Sequence, residues 1–130
     1  MNEDFVTCQL ADKLKEKGFN EPCYGYYHRD GGDDSFEVCG NGDCDFLNSK
    51  NKHRIAAPTI SQVLKWLREE KKLHTMIDIW KVDVNDTNYK WGYDIVNLTT
   101  TKVVACDLQC ADTYEQAALA GIEYVLDNLI

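Results

Sequence analysis

The chain has 130 residues, of which 44% are hydrophobic and 11% aromatic, and its formal net charge is −8. This length and composition are typical of one folded domain over residues 1–130, and they exclude a disordered chain. The acidic start is not followed by an apolar leader, and no apolar run approaches the roughly 18 residues of a membrane span. We therefore expect a cytoplasmic protein that makes no membrane contact.

The charge is unevenly distributed along the chain. Residues 50–72 carry seven basic and two acidic side chains, whereas residues 1–49 carry four basic and eleven acidic ones. Residues 73–130 are again acidic, with three basic and nine acidic side chains. Because an acidic surface repels nucleic acid and attracts basic partners, we expect no nucleic-acid binding. The basic middle segment is interpreted as a solvated helix face with an adjoining loop.

The first predicted element is an amphipathic helix over residues 4–17. Val6, Leu10 and Leu14 recur every four residues, which places them on one face of the helix. Gly18 is expected to end the helix, because glycine readily adopts a positive φ.

An aromatic strand at residues 23–28 is predicted next, followed by an irregular acidic loop at about 30–53. One interpretation of this loop is a short hairpin, in which residues 36–38 pair with residues 45–47 around an Asn-Gly turn. The alternative is a long loop without regular structure, and such loops in compact domains are often functional.

A second helix is predicted over residues 60–72. Its apolar residues follow the i, i+3, i+4, i+7 spacing of a buried helix face: Ile60, Val63, Leu64 and Leu67. Trp66 lies off this stripe.

Three strands and a last helix complete the predicted elements. The first strand spans residues 76–84 and is apolar on both faces. In the second strand, large apolar side chains alternate with polar residues or glycine at Tyr89, Trp91, Tyr93 and Ile95. The third strand alternates over residues 104–108. The last helix, at residues 113–128, has small residues on one face that permit close approach to a sheet.

These elements predict the α+β class, with the order α-β-(β)-α-β-β-β-α. The helices are expected to pack on an antiparallel sheet of three to five strands. The order from residue 59 to 130 is also that of a double-stranded RNA-binding domain, which contacts phosphates with a Lys-rich start of its last helix. Residues 111–116 are acidic instead, so RNA binding is rejected.

Six cysteines without an export signal are expected to be reduced thiols, with Cys8 and Cys106 as small core residues. Cys39 and Cys44 have four residues between them and lie near His53 in sequence, so these three are the candidate metal ligands. Zinc requires four ligands, and no second closely spaced cysteine pair completes the set. We therefore predict no metal, no cofactor and no catalytic residue.

Surplus aromatic residues indicate an interaction surface. The candidates for this surface are Trp66, Tyr89, Trp91 and Tyr93. The other interpretation, which is favoured for the aromatic residues of the strands, is a sheet face covered by the first helix.

Residues 14–23, 57–69 and 113–122 combine helix caps with apolar stripes. In these segments the chain resembles a family of small uncharacterised proteins of unknown function from gut Bacteroidetes and their phages or mobile elements. The resemblance implies a fold and an intracellular accessory role linked to phages. It implies no activity and no active site.

The leading hypothesis is a non-enzymatic protein-binding or regulatory accessory module, which binds a protein partner or associates with itself. The alternative is an acidic inhibitor that mimics nucleic acid and occupies the groove of a basic host protein. A third hypothesis is a metal-dependent enzyme that uses the region of Cys39, Cys44 and His53.

Overall fold

The structure is a computed structural model that describes residues 4–38, 47–48, 52–80 and 89–130. The described residues form three α-helices and two antiparallel three-stranded sheets, so the predicted α+β class is confirmed. The chain divides into two units, Met1–Ile60 and Ser61–Ile130, and each contains one sheet. The expectation of one domain over residues 1–130 stays a prediction. None of the described helices has the length and apolar character needed to cross a membrane.

Helix α1 spans Cys8–Glu16 and begins four residues later than predicted. The chain before it is extended, because the amide of Val6 donates to the carbonyl of Pro58 at 3.1 Å. The hydroxyl of Thr7 then accepts a hydrogen bond from a first-turn amide and caps the helix. The helix ends ahead of Gly18, which has the predicted positive φ, at 91°.

The first unit contains a sheet with the strand order β2-β1-β3. Its strands are β1 at Gly25–His28, β2 at Glu37–Val38 and β3 at Arg54–Ala57. A 3₁₀ helix at Gly32–Ser35 lies between β1 and β2, and both outer strands run antiparallel to β1. Extended structure at residues 36–38 is thus present, but its partner is β1. Most of the predicted partner, residues 45–47, lies outside the described residues.

Two polar side chains form hydrogen bonds with backbone groups in the buried core of the first unit. The amide of Asn48 donates to the carbonyl of Phe19 at 2.9 Å, and its oxygen accepts from the amide of Ala56 at 2.9 Å. The hydroxyl of Tyr27 donates to the carbonyl of Val6 at 2.6 Å, and burial raises the pKa of Tyr27 to about 12. Because an unpartnered buried polar group is costly, these bonds specify how the loops lie on the core.

Helix α2, Ile60–Glu70, confirms the predicted second helix but ends two residues early. All four residues of its predicted apolar stripe are buried: Ile60, Val63, Leu64 and Leu67. Lys72 follows the helix with a φ of 57°, which turns the chain into the next strand.

The second unit contains an antiparallel meander, as predicted, with the order β4-β5-β6. Its strands are β4 at Leu73–Trp80, β5 at Lys90–Asn97 and β6 at Lys102–Ala111. Strand β4 begins three residues before the predicted position, and residues 81–88 lie outside the described residues. The pairing of β5 with β6 is interrupted by two register shifts, between Trp91 and Tyr93 and between Ile95 and Val96.

Helix α3, Tyr114–Asn128, packs on one face of this meander. Its buried residues include the predicted small ones, Ala117, Ala118 and Gly121. A Cβ atom added at Gly121 would lie 2.8 Å from Cγ2 of Thr75 and 3.2 Å from Cγ of Tyr93. Small side chains therefore allow the helix to lie close to β4 and β5.

The cysteines are placed differently from the prediction. Cys23 is buried, whereas Cys8 is half-buried and Cys106 is exposed, so the prediction of Cys8 and Cys106 as core residues is wrong. Cys8 lies in the first turn of α1, because the cap is Thr7. Cys106 pairs with Asp94, whose side chain lies on the sheet face opposite to Tyr93 and α3.

The N-terminal cap of α3 provides a direct stability test. The hydroxyl of Thr113 accepts from the amide of Gln116 at 3.1 Å, so Thr113→Ala leaves that amide without its acceptor. We expect the free energy of unfolding to fall by about 1 kcal/mol. Thr113→Ser keeps the hydroxyl and is the control. Urea unfolding of both variants checks this, and equal losses would contradict the capping role.

Candidate protein-interaction surface

Large apolar side chains meet at one end of the second sheet. We call this group the aromatic patch, and its members are Ile79, Tyr89, Trp91 and Tyr114. Ile79 pairs with Trp91, and Ile77 pairs with Tyr93. Because side chains alternate between the faces of a sheet, Ile79 and Trp91 lie on the same face as Tyr93, which contacts α3.

The three rings of the aromatic patch are arranged edge to face. The ring centres of Tyr89 and Trp91 are 6.3 Å apart with an interplanar angle of 75°. Those of Trp91 and Tyr114 are 5.6 Å apart at 87°. Aromatic pairs in this geometry attract each other through their quadrupoles, so the rings hold one another in place.

The aromatic patch is open to solvent. Ile79 is 43% exposed, Tyr89 49% and Tyr114 40%, while Trp91 between them is half-buried. Tyr114 is the first residue of α3, so the helix begins at this edge and does not cover it. On the opposite face of the same strand end, Trp80 is 37% exposed. We therefore treat this exposed cluster as the candidate contact surface of the second unit.

An ion pair lies beside the aromatic patch. The ammonium group of Lys90 contacts a carboxylate oxygen of Asp112 and links β5 to the residue before the helix cap. Both side chains are half or more exposed, so water and salt screen the pair. It supplies a polar rim to the apolar patch.

The structure separates the four predicted interaction residues into two pairs. Tyr89 and Trp91 belong to the aromatic patch. Trp66 and Tyr93 are buried, with 6% and 7% of their surface exposed, so their prediction as exposed contact residues is wrong. Tyr93 lies beneath Gly121 of α3, and Trp66 is covered although it lies off the apolar stripe of α2.

Sequence reasoning missed Ile79 and Tyr114 as members of the aromatic patch. Tyr114 directly follows the helix cap Thr113, so it lies at the start of α3. Ile79 gives no comparable signal. Its place beside Trp91 depends on the pairing register of β4 and β5, which a single sequence does not display.

The structure describes only one of the three candidate metal ligands. Cys39 and Cys44 lie outside the described residues, and His53 is exposed. The backbone carbonyl of His53 accepts from the amide of Arg29 at 2.8 Å, at the end of the β1–β3 pair. Within the described ranges, no three His, Cys, Asp or Glu side chains come close enough to hold a metal ion together.

A second polar cluster crosses the sheet of the first unit. The hydroxyl of Tyr26 donates to the carboxylate of Glu37, and the Nε2 atom of His28 lies 3.4 Å from the same carboxylate. The bond to Tyr26 lowers the pKa of Glu37 and raises the pKa of Tyr26. The guanidinium of Arg54 lies 4.8 Å from the Tyr26 ring centre. We interpret the cluster as cross-strand stabilisation.

The comparisons with known proteins give no identity. No family model matches this chain, and no match was found among curated proteins or solved structures.

Proposed function

We propose that this chain is a non-enzymatic protein-binding module whose docking surface is the aromatic patch. The observation that carries the proposal is the exposure of a preassembled edge-to-face group, Tyr89, Trp91 and Tyr114, on a sheet and helix scaffold. Tyrosine and tryptophan dominate the binding energy of protein interfaces, because they bury large areas and lose little conformational freedom. Rings that already contact one another in the free protein lose even less conformational freedom on binding.

The chemistry of the surroundings suggests what the partner offers. Residues 73–130, which contain the sheet and α3 of the second unit, carry three basic and nine acidic side chains, so this part of the unit is acidic. A partner with an apolar contact area and a basic rim would match the aromatic patch and be steered toward it. A second copy of the chain matches this charge less well, because its own patch is equally acidic.

The wider role that we propose is that of an accessory protein linked to phages or mobile elements, acting in the cytoplasm. Support for it comes from the resemblance of residues 14–23, 57–69 and 113–122 to such proteins. The competing function, an acidic inhibitor that mimics nucleic acid, requires contacts dominated by charge. Binding through the aromatic patch should persist when salt is raised, whereas binding by a charge mimic should weaken steeply.

Site-specific photo-crosslinking in host cells tests the proposal. A photoreactive phenylalanine analogue at Tyr89 or Tyr114 should give a crosslinked protein adduct of defined mass. The same analogue at Tyr24 is the matched control, because Tyr24 is a 60% exposed tyrosine in the first unit. We expect adducts from positions 89 and 114 only.

Exposed-residue variants provide the second arm of this test. Tyr89→Ser and Tyr114→Ser should fold normally and weaken binding of the captured partner roughly tenfold or more each. Molar mass in solution shows whether the adduct partner is a second copy. Equal crosslinking from position 24, or unchanged binding by both variants, would refute the aromatic patch as the docking surface.

A further inference from the structure

A cavity of about 320 Å³ lies in the second unit, away from the aromatic patch. Tyr93 of β5 lines it together with residues of the last two turns of α3: Ala120, Glu123, Tyr124, Asp127 and Asn128. The cavity shares no residue with the aromatic patch. Its volume is at the lower end of the range for ligand pockets, which suits one amine head group or one long side chain.

Among the described residues, Tyr93 contributes an unpartnered hydroxyl group to the lining of the cavity. Its side chain is more than nine-tenths buried, with 7% of the residue exposed, and it lines the cavity. Its hydroxyl has no hydrogen-bond partner among the residues that the structure describes, in contrast to the bonded hydroxyl of Tyr27. Water can reach this oxygen, because the buried side-chain atoms without a partner are Nδ1 of His74 and Oγ1 of Thr75 among the described residues. A ligand N–H group in the cavity would displace that water and donate to the oxygen.

The two tyrosine rings form a cleft suited to a cation. The ring centres of Tyr93 and Tyr124 are 6.4 Å apart, with an interplanar angle of 42°. The face of a tyrosine ring carries negative electrostatic potential, which attracts ammonium and guanidinium groups within about 6 Å of the ring centre. Both tyrosines line the cavity, so a cation bound there lies beside the two rings.

The described residues that line the cavity are acidic or neutral. Glu123 and Asp127 lie one helical turn apart at the rim, and no Lys, Arg or His is among the lining residues. Asp107 on β6 pairs with Tyr93 across the sheet. Burial and then the charge of Asp107 raise the pKa of Tyr93, so its hydroxyl stays protonated and neutral.

We propose that this cavity binds an organic cation of side-chain size, either an ammonium or a guanidinium group. The tyrosine rings receive the charge, the hydroxyl oxygen of Tyr93 accepts an N–H group, and the rim carboxylates of Glu123 and Asp127 attract it. The ligand is either a free amine or a lysine or arginine side chain of a partner. This site is independent of the aromatic patch, so either proposal can fail without the other.

The test is an NMR titration of the whole chain with n-butylammonium and n-butylguanidinium. We expect saturable shifts of the amides at residue 93 and residues 120–128. n-Butanol, a neutral molecule of matched size, should produce none. Peptides with one central lysine or arginine, compared with the acetyl-lysine peptide, identify the source of the cation. Tighter binding of the charged peptides indicates a partner side chain, and tighter binding of the free amines indicates a small ligand.

Two variants and a control decide whether the cavity is the binding site. Tyr124→Ala should weaken cation binding roughly threefold to thirtyfold, because one ring face is lost. The double variant Glu123→Gln, Asp127→Asn should weaken it and reduce its salt dependence. Glu115→Gln removes a charge from the same helix outside the cavity and should leave binding unchanged. Equal shifts with n-butanol, or wild-type affinity in both cavity variants, would overturn the proposal.

Discussion

Gly92→Ala is expected to destabilise the second unit by about 3 kcal/mol or more. Gly92 is buried in β5, opposite the register shift of β6. A Cβ atom at this position would lie 2.4 Å from the carbonyl oxygen of Asp107 and 2.4 Å from the carbonyl carbon and oxygen of Leu108. These are backbone atoms, so β6 would have to move as a strand to make room.

Tryptophan fluorescence during urea unfolding measures this loss, since Trp66, Trp80 and Trp91 all belong to the second unit. The matched control is Gly121→Ala, a second buried glycine of the same unit. Its nearest obstacles are side-chain atoms of Thr75 and Tyr93, and alanine favours a helix, so a smaller loss is expected. Equal losses in the two variants would show that β6 does not press on Gly92.

The second large effect is expected at Asn48. Asn48→Ala removes the hydrogen-bond partners of the Phe19 carbonyl and the Ala56 amide, both of which are in the buried core. We expect a loss of about 2–4 kcal/mol that does not depend on pH. Circular dichroism during urea unfolding at pH 4 and pH 7 measures it. A loss below about 1 kcal/mol would show that water replaces the side chain.

Asn48→Asp is expected to give a loss that depends on pH. The protonated acid can donate to the Phe19 carbonyl, as the asparagine amide does, whereas the buried carboxylate faces that oxygen without a proton. Burial and the carbonyl therefore raise the carboxyl pKa in the folded state above its unfolded value of about 3.9. Below the unfolded pKa, the variant keeps the free energy of unfolding that the protonated acid provides. As pH rises above the unfolded pKa, this free energy falls by about 1.4 kcal/mol per pH unit until the folded pKa is passed.

The control for this variant is the wild-type chain at each pH, because the other carboxyl groups of an acidic protein also titrate. Only the difference between variant and wild type reports on residue 48. That difference should be small at pH 4 and large at pH 7. A constant difference across this range would show that the carboxyl group introduced at position 48 keeps its ordinary pKa.

The helices and the meander were predictable, since their signals are local. The apolar stripe of α2, Thr113 before α3 and the alternation from Tyr89 to Ile95 each appear within a few residues of sequence. The start of α1 was misplaced, because the extended segment before it is held by a bond from Val6 to Pro58 far along the chain. The pairing of β2 with β1 was not predicted, because it depends on how residues 29–36 turn the chain back.

The candidate sites were only partly predictable. Alternation identified Tyr89 and Trp91 as neighbours on one sheet face, but it assigned Tyr93 to the same exposed surface. Trp91 stays half-exposed because α3 begins at Tyr114. Tyr93 is buried because Gly121 of α3 packs against it. The same packing brings Tyr124 close to Tyr93 and forms the cavity.

The sequence by itself determined the α+β class and the type and approximate position of the helices and of the strands other than β3, which was not predicted. Periodicity and capping depend on neighbours within one or two turns, so they can be read from the chain directly. The tertiary structure alone decided that the strands form two sheets, where β6 bulges over Gly92, and which aromatic rings stay exposed. Those features depend on strand register and on contacts between residues distant in sequence, and hydrophobic patterning leaves both unspecified.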